Sequence, residues 1–94
     1  MSGGYDGNQF LRGTAQSGLL KLMLKLPSVR GRLQVLVPHS HSLANLCEAY
    51  GEASNMLERL ESGRVVAEDG LLAEYRTICS EIENDVIQYC LEHR

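Results

Sequence analysis

The sequence predicts an all-α fold: a small bundle of about three helices built on an antiparallel helical hairpin. Three observations carry that reading. First, residues 70–93, GLLAEYRTICSEIENDVIQYCLEH, place Leu71, Tyr75, Ile78, Ile82, Val86 and Tyr89 at steps of three and four, with Leu72, Cys79 and Cys90 beside them. That spacing keeps one apolar stripe on one side of an α-helix, while Glu74, Arg76, Glu81, Glu83, Asp85, Gln88 and Glu92 fall on the other. Second, SLANLCEAYGEASNMLERLES carries Leu43, Leu46, Tyr50, Ala53, Leu57 and Leu60, which alternate steps of three and four as a heptad seam does. Third, LLKLMLKL is a leucine-rich segment that runs directly into Pro27. An amphipathic helix cannot cover its own stripe, so these segments must pack on one another or on a partner.

The elements follow in chain order. Residues 1–18 contain glycine at 3, 4, 7, 13 and 18, and glycine disfavours regular structure through its entropy cost. Residues 1–8 read as a flexible tail and residues 9–94 as one helical domain. A first helical turn is expected over residues 9–16, weakened by Gly13. Thr14 or Ser17 is the expected cap of the leucine-rich helix. Leu19, Leu22, Met23 and Leu26 form its stripe, Leu20 and Leu24 flank it, and Lys21 and Lys25 share a side one turn apart. Pro27 ends it, because the residue before proline is pushed out of the α region.

The next stretch is SVRGRLQVLVPHSHS. Leu33, Val35 and Val37 alternate in a strand-like pattern between Gly31 and Pro38. Two readings are open: a short β-ribbon paired with residues 64–67, or an irregular apolar connector. The connector is preferred, since an isolated two-stranded pair is marginal in water. Ser40 or Ser42 is the expected cap of the second long helix, Ser62-Gly63 its stop, and Asp69 the expected cap of the last. Gly51 lies off the seam and is expected to mark close helix packing.

Composition bounds the function. At 94 residues with 44% apolar content and no Trp, the chain has room for one small core of Leu, Val, Ile and Met. No run of residues reaches the roughly 18 apolar positions of a membrane span. The three cysteines, Cys47, Cys79 and Cys90, sit on predicted apolar faces, and no secretory pattern precedes them, so reduced, buried thiols and a cytoplasmic setting are expected. Charge is uneven. Residues 1–47 hold five basic residues against Asp6 alone, a net +4, whereas residues 48–94 hold four arginines against eleven carboxylates, a net −7. The two halves attract, within one chain or between two. Few aromatics accompany the basic residues, so nucleic acid is not the expected partner.

No catalytic motif is present, and no cofactor or metal is expected. His39 and His41 form an H-x-H, Cys47 follows closely, and Cys90 and His93 lie one turn apart. Zinc sites want four closely spaced N or S ligands, and there is no C-x-x-C, so local capping and hydrogen bonding is the preferred reading of the histidines. Cys79 and Cys90 fall in the acidic half, which raises a thiol's pKa and disfavours a nucleophile. Glu81 and Asp85 read as solvated helix surface, and no phosphate-cradling loop exists.

The apolar surface is the feature left to weigh. Leu20, Leu24, Leu72, Cys79 and Cys90 flank the seams, and in a bundle this small some stay exposed, as partner sites do. The expected partner-binding residues are Leu20, Leu24, Leu72, Cys79 and Tyr89. The expected function is a non-enzymatic protein–protein interaction or scaffold module, acting on another protein or by self-association. The alternative is a membrane-surface adaptor that uses the basic, leucine-rich first helix.

The order of KLMLKLPS, VLVPHSHS, LANLCEAYGEASNMLERLES and GLLAEYRTICSEIENDV, over residues 19–87, resembles the N-terminal helical region of γ-tubulin complex components. Those proteins are several hundred residues long and usually carry another apolar stretch where this chain has ESGRVVAED. The resemblance implies a helical fold and a role in lateral assembly within a microtubule-nucleating complex, without catalysis. It assigns no individual functional residue.

Overall fold

A computed structural model of the chain describes residues 13–64 and 68–93. It contains α1 (Thr14–Lys25), α2 (Arg30–Leu36), a 3₁₀ turn (Val37–His39), α3 (His41–Glu61) and α4 (Leu71–Glu92). Helices pack on helices throughout, and there is no strand among the described residues. The tail expected over residues 1–8 and the turn expected to begin at residue 9 fall outside these residues, as do residues 65–67 of the proposed ribbon.

Local signals explain most of the boundaries. Leu26, just before Pro27, has left helical geometry at φ −121° and ψ 67°, which ends α1. Ser40 caps α3: its Oγ accepts from the Leu43 N–H at 3.1 Å, satisfying one of the donors a helix start leaves free. Ser62 and Gly63 stop α3, with Gly63 in the left-handed region at φ 78°. The other two caps differ from expectation. Gly13 precedes α1 at φ 55° and Gly70 precedes α4 at φ 87°, and neither helix has a side-chain cap bond. A sharp chain reversal at each entry takes the glycine conformation, and Thr14, Ser17 and Asp69 do not serve as caps.

Residues 29–37 are helical, neither strand nor irregular connector. Val29, Leu33 and Val37 are all buried, one helical turn apart, whereas Val35 is 67% exposed. The period of four governs burial here, and the alternation through Val35 was incidental. α2 lies against α1 and α4 and feeds α3 through the 3₁₀ turn.

α3 and α4, of 21 and 22 residues, form the antiparallel hairpin. Its register is marked by three side-chain bonds. The Ser40 and Tyr89 hydroxyls bond at 2.7 Å, Tyr50 Oη donates to Glu83 Oε2 at 2.6 Å, and Arg76 Nη2 donates to Glu61 Oε2 at 3.4 Å. α1 lies along α3 on a second face. There the helices come very close. A Cβ built on Gly18 would lie 2.8 Å from the Gly51 N and inside contact distance of the Cys47 carbonyl oxygen, and one built on Gly51 would overlap the Thr14 carbonyl. Gly51 therefore does mark close packing, and Gly18 is its counterpart on α1.

The core is filled by Leu19 and Leu22 of α1, Val29, Leu33 and Val37 of the connector, Leu43, Cys47, Tyr50 and Ala53 of α3, and Cys79, Ile82, Val86 and Cys90 of α4. On α4 the buried side is turned from the one expected: Cys79 and Cys90 are core, while Ile78 is 39% exposed. α4 is covered by α3 and also by α2, and the second contact draws the cysteine side inward.

Candidate functional site

α1 and α4 both pack on α3 and scarcely touch each other, which leaves a groove between them. It has a volume of about 650 Å³. Tyr50, Ser54 and Cys79, all buried, line its depth, and Leu24, Leu57, Lys25 and Arg76 stand around them. The helices position these groups simply: Tyr50, Ser54, Leu57 and Glu58 recur at three- and four-residue steps on α3, and Lys21, Leu24 and Lys25 do so on α1.

The groove is also where the two oppositely charged halves of the chain meet. Lys21 Nζ donates to Asn55 Oδ1 at 2.6 Å and to Ser54 Oγ at 3.2 Å, and it lies 2.8 Å from Glu58 Oε2. Lys25 Nζ lies 3.9 Å from Glu83 Oε2, the same oxygen that accepts from Tyr50. Burial, with the Glu83 carboxylate second, pushes the Tyr50 phenol well above its ordinary range, so it remains a donor. Part of the charge asymmetry is thus satisfied inside one chain. Ser54 is the one buried polar residue of the described core, and it donates to the Gly51 carbonyl at 3.3 Å.

The five residues expected to bind a partner do not share one surface. Leu20 and Leu24 are neighbours on the outer side of α1, 43% and 79% exposed. Leu72 is half-buried near the start of α4. Tyr89, also half-buried, ties the C-terminal end of α4 to the cap of α3 through Ser40, and its ring stacks on His93 with centroids 4.0 Å apart. Cys79 is 5% exposed and inside the core, so it offers no outer surface. It was placed at the flank of a stripe whose true centre it occupies.

The thiols are inert by position. Burial is the main cause of the raised pKa of all three, and it pushes Cys47 up to about 12 with Cys90 adding to the effect. Cys47, Cys79 and Cys90 are free and buried. His39 and His41 are exposed, and among the described residues no group of three or more His, Cys, Asp or Glu side chains is gathered as a metal site would need. No described helix is long and apolar enough to cross a membrane.

The Lys21 network and the Gly18–Gly51 approach were not foreseen as a pair. Both join positions more than 30 residues apart in the chain, and only Gly51, conspicuous inside a heptad seam, left a signal. Compared with known protein families, with characterised proteins and with solved structures, the chain finds no match, so a functional reading must rest on its own residues.

Proposed function

We propose that the chain is a non-enzymatic contact module that holds a protein partner through the outer side of α1. One observation carries this reading: Leu20 and Leu24 lie one turn apart, turned away from the core and beside an open groove. Leaving two leucines in water costs solubility and contributes nothing to the fold, which is the usual mark of a surface kept for a partner. The three buried, unbridged cysteines accord with a reducing, intracellular setting.

The assembly proposed for it is a microtubule-nucleating one, as the resemblance of residues 19–87 to γ-tubulin complex components implies. The membrane-surface reading has less to stand on, because Lys21 is taken up by Ser54, Asn55 and Glu58 and is not free for anionic headgroups. Co-sedimentation of purified chain with γ-tubulin complexes tests the proposal. The wild type should travel with the complexes and the Leu20→Ser/Leu24→Ser variant should not, with both equally folded by circular dichroism. Clean absence of the wild type from the complexes would remove the microtubule assignment. Equal binding of the two proteins would remove α1 as the contact.

A further inference from the structure

The ion pairs of the groove leave a remainder, and its distribution is one-sided. From residue 13 to residue 47 the chain contains no carboxylate, and the first one after Asp6 is Glu48. Lys21 and Lys25 of this region are paired across the groove, but Arg30 and Arg32 on α2 are exposed and make no ion pair among the described residues. Exposed apolar groups lie in the same region: Leu20 and Leu24 on α1 and Val35 on α2.

α4 has the opposite character. Glu74, Ile78, Glu81, Asp85, Gln88 and Glu92 recur at steps of four, three, four, three and four, and all six are exposed. This is a second seam, on the outer side of the helix, with an isoleucine set among acids. None of its carboxylates has a basic partner among the described residues. The single base of α4, Arg76, is paired with Glu61.

One surface is therefore apolar with a cationic surround and no acid of its own. The other is an acidic helical face with an apolar centre and no base. They lie on different elements of one molecule, so neither can neutralise the other without a second copy. We propose that the outer α4 face of one copy docks on the α1–α2 surface of the next, with Arg30 and Arg32 against Glu81 and Asp85. Because the two surfaces differ, the contact is heterologous. Each docked copy leaves one surface of each kind free, and association continues beyond a pair. The proposal rests on the reading of the chain as a contact module and names a second copy as one occupant of that surface.

Light scattering on the full chain at low and high salt tests it. At about 10 mM salt, where charges act over about 30 Å, the mass should rise above the 10.4 kDa monomer with concentration, and at about 1 M it should return to the monomer. Arg30→Glu/Arg32→Glu and Glu81→Lys/Asp85→Lys should each stay monomeric at low salt, while an equimolar mixture of the two associates again. A wild type that is monomeric at low salt overturns the proposal, as does an oligomer indifferent to salt or a mixture that fails to recover. The wild-type salt series decides even if a variant does not fold. A monomer would leave the contact-module reading to its own co-sedimentation test, in which these four charges are not altered.

Discussion

α3 is held from two sides by different means. Towards α4 it presents the heptad seam: large apolar groups at helical spacing, closed at the rim by the Tyr50–Glu83 and Ser40–Tyr89 bonds. Towards α1 it presents Cys47, Gly51, Ser54, Asn55 and Glu58, which are small or polar. The first interface is stabilised by apolar area and tolerates changes of shape, since side chains can repack. The second is stabilised by proximity. Two glycines let the backbones come together, and the lysine on α1 then reaches three oxygens of α3 and its neighbourhood. An interface built on missing side chains has no room to yield, because the atoms that would have to move are backbone.

The comparison can be broken most forcefully at the glycines. Gly18→Ala or Gly51→Ala gains about 1 kcal/mol of helix propensity, but each new methyl group overlaps a facing carbonyl. The overlap should dominate, with a net loss of about 3 kcal/mol or more in urea denaturation. An alanine in the α4-facing seam, such as Leu57→Ala at a half-buried site, should cost less. If Gly18→Ala and Gly51→Ala were neutral, the close approach would not hold α1.

Alkaline pH acts on the seam and core next. The Cys47 thiol titrates near 9 in the unfolded chain and at about 12 in the folded one. Above pH 9 the unfolded state loses the proton first, so stability falls as pH rises, by about 1.4 kcal/mol per unit from this group alone until the folded pKa is reached. The raised Cys79, Cys90 and Tyr50 values act in the same direction. Denaturation midpoints between pH 8 and pH 11 check this, and Cys47→Ala should flatten the slope.

Smaller effects sharpen the rim. Tyr50→Phe removes a donor to a carboxylate and should cost about 1.5 kcal/mol. Ser40→Ala removes both the α3 cap and the partner of Tyr89, and should cost about 1 kcal/mol. Comparing that loss with Tyr89→Phe separates the cap from the tyrosine bond.

These differences in means also explain how much of the molecule could be read from the chain. The α4-facing seam was legible because large apolar residues at regular spacing announce themselves, as did Pro27, Ser40 and Ser62-Gly63 at the helix ends. The α1-facing side was not, because glycine, serine and asparagine carry no periodic signal and their partners lie far along the chain. α2 was misread because seven residues give too few turns to tell a period of four from a period of two, and Val35 satisfied the wrong one. The rotation of α4 towards Cys79 and Cys90 depended on α2, and so it could not be seen once α2 was missed. Of the candidate surface, Leu20 and Leu24 were legible as apolar residues off the α1 stripe. Cys79 was misplaced for the reason that moved α4.

The account divides α1 into an inner side that builds the fold and an outer side kept for a partner. Paired urea denaturation of Leu22→Ala and Leu24→Ala tests that division most directly. Leu22 is fully buried, and its truncation should cost about 3 kcal/mol. Leu24 is 79% exposed, and its truncation should stay within about 0.5 kcal/mol of wild type. Similar costs at the two positions would contradict the account, because Leu24 would then be part of the fold and not free to meet a partner.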